Sequence, residues 1–181
     1  MLKLVHVQDM NFNSVLEYYH YFADNGYTDI NCYTLSRLFC NGEEDYYAYC
    51  KLYEENMYYL VDSDNENYII GFGSIEDGID FHKEFLNTGN IAYGIRPNER
   101  NKGYGSKIME LLLDKCIEKG MEEVCVSCER GNFPSRNIIL KHGGVFDKLF
   151  YDDFEGPGEK YWIKLDKPKN RIVKKLTNEN R

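Results

Sequence analysis

Residues 96–107 read RPNERNKGYGSK. Gly103 and Gly105 stand two apart among Arg100, Lys102 and Lys107, and an amphipathic run starts at once. Ile108, Met109, Leu112, Leu113, Cys116 and Ile117 form one broad apolar face, which Gly120 ends. A helix start carries unpaired N–H groups and the positive end of the helix dipole. Glycine removes the Cβ that would hold a ligand off the backbone. The chemistry implied is anion binding, and a diphosphate fits such a nest of amides. The same residues would also serve a plain glycine turn that joins a strand to a helix. The spacing matches neither GxGxxG nor GxxxxGK followed by Ser or Thr, so the dinucleotide and Walker patterns do not apply.

Other reactive side chains are scattered. CVSC, 125–128, has the spacing of a metal or redox pair but lies in an alternating stretch, where residues three apart face opposite sides of a strand. With no second CxxC, no metal site is expected. Tyr93 and Tyr151 could move a proton, as could His82 and Glu84. His142, at the end of a helical stretch, is expected to meet carbonyls there.

The elements that must position these groups follow from pattern. LKLVHV (2–7) alternates as a strand, and 11–26 reads as a helix capped by Asn13 or Ser14 and stopped by Gly26. Residues 31–56, rich in tyrosine and acid, read as one or two short helices. Residues 57–62 and 67–75 read as strands around a turn at SDNEN, 76–88 as a loop, and 90–96 as a strand closed by Pro97. A helix over 103–119 precedes a strand at 121–129. Pro134 opens a short helix that Gly143 and Gly144 end, and strands follow at 145–151 and 160–165. The helix of 103–119 crosses between two strands, which should therefore be parallel. The chain is a mixed α/β domain around one sheet.

With 181 residues, 43% hydrophobic, the chain suits one domain with its own core. Its net charge of −8 argues against general nucleic-acid binding. The charge is polarised: residues 1–90 hold 16 acids and 4 bases (net −12), residues 91–181 hold 14 acids and 18 bases (net +4). MLKLVHVQDM is too short and polar for a signal peptide, and no apolar run approaches the ~20 residues of a membrane span. The expectation is a soluble cytoplasmic protein with six reduced cysteines and no membrane partner.

The pattern Arg100-x-x-Gly103-x-Gly105, after the strand IAYGIRP and opening a helix, resembles the pyrophosphate loop of the GNAT (GCN5-related N-acetyltransferase) superfamily. Asn132, then Ser135 at a helix start, then KHGG at its end resemble that family's second cofactor segment. GNIAYGIRPNER and KYWIKL are most similar to bacterial members. The resemblance covers about 57–165 and implies the GNAT fold: a mixed central sheet of about seven strands with flanking helices and a splayed parallel pair at the cofactor site. It implies one domain over 1–165, with 1–56 on the acceptor side, 57–165 forming the core sheet and acyl-CoA site, and 166–181 a basic polar tail.

The resemblance also implies function. Acetyl-CoA would be the acyl donor, and a primary amine would attack it directly in a ternary complex. Backbone amides from Asn101 through Lys102, Gly103, Tyr104 and Gly105 to Ser106 would hold the pyrophosphate, with Arg100 and Lys102 at the phosphates. Ile95 would pair with the pantetheine arm, while Asn132 and Ser135 would meet the pantetheine or adenosine side. This sequence departs from the family at two catalytic positions: Ile139 stands where many members have a tyrosine, and Asn90 where many have a carboxylate. Tyr93, on the cofactor strand, is the leading substitute proton donor, beside Tyr151, Glu84 and His82; the alternative is positioning and thioester polarisation by strand N–H groups, with a water chain carrying the proton. Glu43, Glu44, Asp45, Glu54 and Glu55 lie among tyrosines and suit a cationic amine, small or peptidic, by ion pairing and cation–π contact. A homodimer is open. Two other readings stand beside the enzyme: an acyl-CoA-binding module without transferase activity, and an unrelated α/β domain whose loop binds another nucleotide.

Overall fold

The computed structural model describes residues 1–27, 42–53, 56–78, 89–152 and 156–165. In chain order the elements are β1 (Leu2–His6), α1 (Phe12–Asp24), α2 (Glu43–Tyr53), β2 (Met57–Asp62), β3 (Asn65–Ile75), β4 (Ile91–Ile95), α3 (Tyr104–Glu118), β5 (Glu123–Glu129), α4 (Phe133–Lys141), β6 (Val145–Asp152) and β7 (Gly156–Lys164). Short 3-10 turns occupy Val7–Asp9 and Pro97–Glu99. The expected order holds, with shifted ends.

Among the described residues seven strands form, in two ladders: β1-β2-β3-β4, and β5-β7-β6. β1–β2, β2–β3, β5–β7 and β6–β7 are antiparallel. The strands expected as a splayed pair, β4 and β5, are not neighbours in either ladder, and Asn90, just ahead of β4, bonds to Cys125 of β5. The chain resolves into two compact units, Met1–Ser74 with Tyr93–Ile108, and Ile75–Ala92 with Met109–Arg181.

In the first unit, α1 lays Val15, Tyr18, Tyr19 and Phe22 against Tyr59 and Val61 of β2, Ile69 and Phe72 of β3, and Tyr46 and Cys50 of α2. Each apolar side chain so buried contributes about 1.5–3 kcal/mol. The tyrosines carry hydroxyls inward and therefore need partners. Tyr46 donates to the Val7 carbonyl at 2.7 Å, and Tyr19 and Tyr59 share a bond at 2.9 Å. Burial, reinforced by neighbouring phenols, pushes the Tyr19 and Tyr46 hydroxyls well above their usual pKa. Tyr18, Tyr19, Tyr46 and Tyr59 are thus core residues and present no aromatic surface to an acceptor.

The cap of α1 is Asn11, whose side chain accepts from the N–H groups of Asn13 and Ser14. Asn11 has the extended backbone that a cap requires, whereas Asn13 and Ser14, the expected caps, already lie in the first turn. The β2–β3 connection is tighter than SDNEN suggested. The Asp62 carboxylate accepts from Asp64 N–H at 3.1 Å, which closes the turn and lets β3 start at Asn65.

In the second unit β7 is central, with β5 and β6 on either side. Met109, Leu112, Leu113 and Cys116 of α3, Val124, Cys125 and Val126 of β5, and Ile139 of α4 are buried. Cys125 and Cys128 are free thiols on β5, opposite Trp162 and Glu159 of β7. Burial pushes both thiols up to about 11. Among the described residues no helix is long and apolar enough to cross a membrane. The 166–181 tail lies outside the described residues.

Candidate acyl-CoA site

The loop that precedes α3 is built from backbone conformation. Pro97 sits in the first turn of the 3-10 segment, and Arg100 is extended. Asn101 (φ 63) and Gly103 (φ 86) then adopt the left-handed region on either side of Lys102. Asparagine tolerates that region and glycine occupies it without strain. Alternating backbone hands aim successive N–H groups to one side, which makes an anion nest. A Cβ placed on Gly103 would meet nothing within 4 Å, so the space over the loop is open. The ladder of α3 begins with Lys107 N–H to the Gly103 carbonyl at 3.2 Å. The amides of Tyr104, Gly105 and Ser106 therefore belong to the open end of the helix. Ile95 and the predicted cradle, Arg100, Asn101, Lys102, Gly103, Tyr104, Gly105 and Ser106, lie together in the first unit. In backbone conformation and in the sign of Arg100 and Lys102 the loop suits an anionic group.

The loop's charges are already engaged. Lys102 pairs with Glu99 at 3.0 Å, and the Arg100 Nε donates to the Ile95 carbonyl at 3.0 Å. Glu99 also accepts from Tyr68 OH at 3.0 Å, and Asn98 donates to that hydroxyl at 3.2 Å. Arg96, which starts the turn ahead of the loop, is only 3% exposed. Its two terminal nitrogens donate to both carboxylate oxygens of Glu17 on α1. Its guanidinium lies 4.1 Å from the Tyr21 ring centre and 4.7 Å from that of Tyr68. Burial pulls the guanidinium pKa down, and the Glu17 carboxylate outweighs that, leaving it above the ordinary value. Glu17, Tyr68 and Glu99 were not read as site residues. The only sequence signal was Arg96 itself, a charge at the end of a strand destined for burial.

Asn132 and Ser135, the expected second cofactor segment, lie in the second unit. Asn132 is exposed and caps α4, its side chain accepting from Ser135 N–H at 3.1 Å. Ile139 is fully buried, and Gly144 packs so closely on it that an added Cβ would collide with it. The position where relatives carry a tyrosine is thus core. Arg136 forms a two-pronged pair with Glu159, and Tyr161 OH donates to the same carboxylate at 2.7 Å.

Asn90 is not a stand-in for a base. It is 5% exposed, and both its side-chain ends are used. Its amide donates to the Glu76 carbonyl at 2.7 Å, and its oxygen accepts from Cys125 N–H at 2.7 Å. Its backbone N–H also bonds to the Cys125 carbonyl, and its carbonyl accepts from Glu76 N–H, each at 2.7 Å. A carboxylate could not donate to Glu76.

Tyr93 is half-buried on β4, and Tyr151 is 70% exposed on β6. The His142 backbone N–H bonds to the Ile138 and Ile139 carbonyls at the end of α4. Glu43 and Glu44 are exposed at the start of α2. His82, Glu84, Glu54 and Glu55 lie outside the described residues, as does the side chain of Asp45.

Several solved structures share this fold. A GNAT acetyltransferase from Bacillus anthracis matches with a TM-score of 0.61 at 18% identity, over 90% of this chain and 94% of its own. YncA from Salmonella typhimurium, solved with acetyl-CoA, matches with a TM-score of 0.60 at 14% identity, over 92% and 94%. Mutant forms of the spermidine/spermine N-acetyltransferase SpeG from Vibrio cholerae match with a TM-score of 0.66 at 14% identity, over 94% and 98%. Among curated proteins, none matches the sequence. The sequence model of the acetyltransferase (GNAT) family matches residues 25–143, which span both the loop ahead of α3 and α4, and the chain belongs to that family.

Proposed function

We propose that the protein is an N-acetyltransferase that moves an acetyl group from acetyl-CoA to a primary amine by direct attack in a ternary complex. The observation that carries this reading is the loop ahead of α3, where left-handed Asn101 and Gly103 lead into the open helix end. The amides of Asn101 to Ser106 hold the diphosphate. Arg100 and Lys102 exchange their present partners, Ile95 and Glu99, for phosphate oxygens. The backbone of Ile95 pairs with the pantetheine arm. Asn132 and Ser135 meet the pantetheine or adenosine side. The donor supplies a thioester, whose carbonyl carbon bonds to the amine nitrogen as the carbon–sulfur bond breaks. Tyr93 gives its proton to the departing sulfur and regains one from the attacking nitrogen through water. The acetyl-CoA bound to the Salmonella neighbour supports the choice of donor.

A cationic acceptor is the companion reading. Glu43 and Glu44 supply exposed negative charge on the acceptor-side helix, and the Vibrio neighbour is named for polyamines. We place the reaction in the cytoplasm, where the free thiols of Cys50, Cys116, Cys125 and Cys128 would stay reduced.

Calorimetry with acetyl-CoA tests the site. Gly103 has positive φ, so any substitution there strains the backbone by itself. Gly105→Asp is the cleaner probe, with Gly103→Asp/Gly105→Asp as the stronger one. Wild type should bind, and the folded variants should bind at least about a hundredfold more weakly, a loss of about 2.7 kcal/mol. Tyr93→Phe should then lower kcat with KM for acetyl-CoA little changed. Absence of binding by wild type would remove the reading. The structural roles of Asn90 and Ile139 favour one alternative, an acyl-CoA-binding module without turnover. It predicts tight binding with no thiol release across a panel of amines.

A further inference from the structure

Glu99 stands just ahead of the loop and is fixed at both ends. Its backbone N–H bonds to the Arg96 carbonyl at 2.8 Å, in the 3-10 turn Pro97–Glu99. One carboxylate oxygen accepts from the Tyr68 hydroxyl at 3.0 Å. Tyr68, on β3, is held in turn. Asn98 donates to its hydroxyl at 3.2 Å, and the Arg96 guanidinium lies 4.7 Å from its ring centre. The other Glu99 oxygen accepts from the Lys102 ammonium at 3.0 Å. All of these residues belong to the first unit.

The two partners of that ion pair are not alike. The Glu99 side chain is 13% exposed and that of Lys102 52%. The carboxylate is thus the anchored partner, and the lysine is the one that can move. The hydrogen bond from Glu99 also holds the Lys102 pKa above its ordinary value. Lys102 therefore has an anion of its own before any ligand arrives. A diphosphate that recruits Lys102 must part it from Glu99. Tyr68 and the turn keep the carboxylate where it is, so a like charge is left beside the incoming phosphates.

Taking the loop ahead of α3 as the diphosphate cradle proposed above, we infer that Glu99 is a positioning residue that competes with the diphosphate for Lys102. It draws the lysine away from the ligand and so weakens binding. Acetyl-CoA and the product CoA carry the same diphosphate, so both are held less tightly than the loop's amides and cations alone would hold them. An ion pair with an exposed lysine is weak, so Glu99 tunes affinity by about three- to fivefold and does not block the site. A carboxylate that merely shaped the turn would act with the opposite sign, since its loss would loosen the loop and weaken binding.

Calorimetry with CoA and with acetyl-CoA tests this on wild type, Glu99→Gln, Lys102→Ala and the double variant, with circular dichroism to check folding. Glutamine keeps an oxygen for the Tyr68 hydroxyl and removes the charge that holds Lys102. Glu99→Gln should tighten both ligands about three- to fivefold at low salt. Added salt should shrink that gain. With Lys102 already replaced by alanine, Glu99→Gln should gain less than about twofold, because there is no lysine left to release. Unchanged or weaker binding by Glu99→Gln would overturn the inference and leave Glu99 a support of the turn. An equal gain with and without Lys102 would overturn it too, since Glu99 would then act by repulsion alone, and so would a gain that salt does not touch. If neither wild type nor Glu99→Gln binds either ligand, the acyl-CoA reading falls, and the role of Glu99 falls with it.

Discussion

Replacing Glu17 by glutamine tests whether the clamp on Arg96 is held by charge. Arg96 is 3% exposed and Glu17 53%, so the cation is out of water and the anion is half in it. Among the described residues the Arg96 Nε has no hydrogen-bond partner, so Glu17 and the two tyrosine faces carry its compensation. Taking one partner from a fully buried pair costs about 3–5 kcal/mol, chiefly by stranding the other charge. Water can reach the Glu17 side, so the expected cost of Glu17→Gln is about 2 kcal/mol. For a chain of this length that is a fall in Tm of roughly 4–8 °C. Arg96→Met removes the cation and keeps an apolar stem between Tyr21 and Tyr68. Glu17 then simply returns to water, so this change should cost about 1 kcal/mol or less. The double variant should be little worse than Arg96→Met alone, a coupling of about 2 kcal/mol. Urea unfolding at constant slope measures all three. Equal cost of Glu17→Gln in both backgrounds would refute the clamp.

Two further outcomes follow from single side chains. Asn90→Asp should destabilise the second unit by about 2 kcal/mol at neutral pH, because a buried carboxylate replaces the amide donor that faces the Glu76 carbonyl; unchanged thermal stability would contradict the assignment. The Arg136 guanidinium, then the Tyr161 hydroxyl, hold the Glu159 carboxyl below its ordinary value of 4.5. That stabilisation is complete above about pH 4.5 and is lost as pH falls through the lower folded-state value. Glu159→Gln should therefore narrow the difference in stability between neutral and acid pH, as read by thermal melts; an unchanged profile would show that the pair contributes nothing.

Where the sequence was informative, the physics was local. Alternation located β1, β5, β6 and β7, apolar runs bounded by turn formers located β2, β3 and β4, and 3.6-residue periodicity with glycine stops located α1 and α3, because these signals are carried within a single element. The loop of 100–106 was legible for the same reason. Left-handed Asn101 and Gly103 are residue types that suit that conformation, and the helix start follows in sequence. What lay out of reach depends on distant partners. The division of seven strands into two ladders turns on which strand edges meet, and the pattern of a strand does not record its neighbour. Glu17 is 79 residues from Arg96, and Asn90 35 from Cys125. The tyrosines misled for a related reason. A hydroxyl reads as surface until a buried carbonyl such as that of Val7 is found to receive it.

The aromatic distribution gives the molecule a built-in optical division. The chain has 16 tyrosines and one tryptophan. Trp162 lies on β7, its ring 5.5 Å from the Lys160 ammonium and its indole N–H on Asp147. Tyr18, Tyr19, Tyr46 and Tyr59 fill the core of the first unit. Excitation at the red edge of protein absorption therefore reports on the second unit alone. Near-ultraviolet tyrosine signals are weighted toward the first. Following both during one denaturation would show whether the two units lose structure together or in sequence, without adding a label.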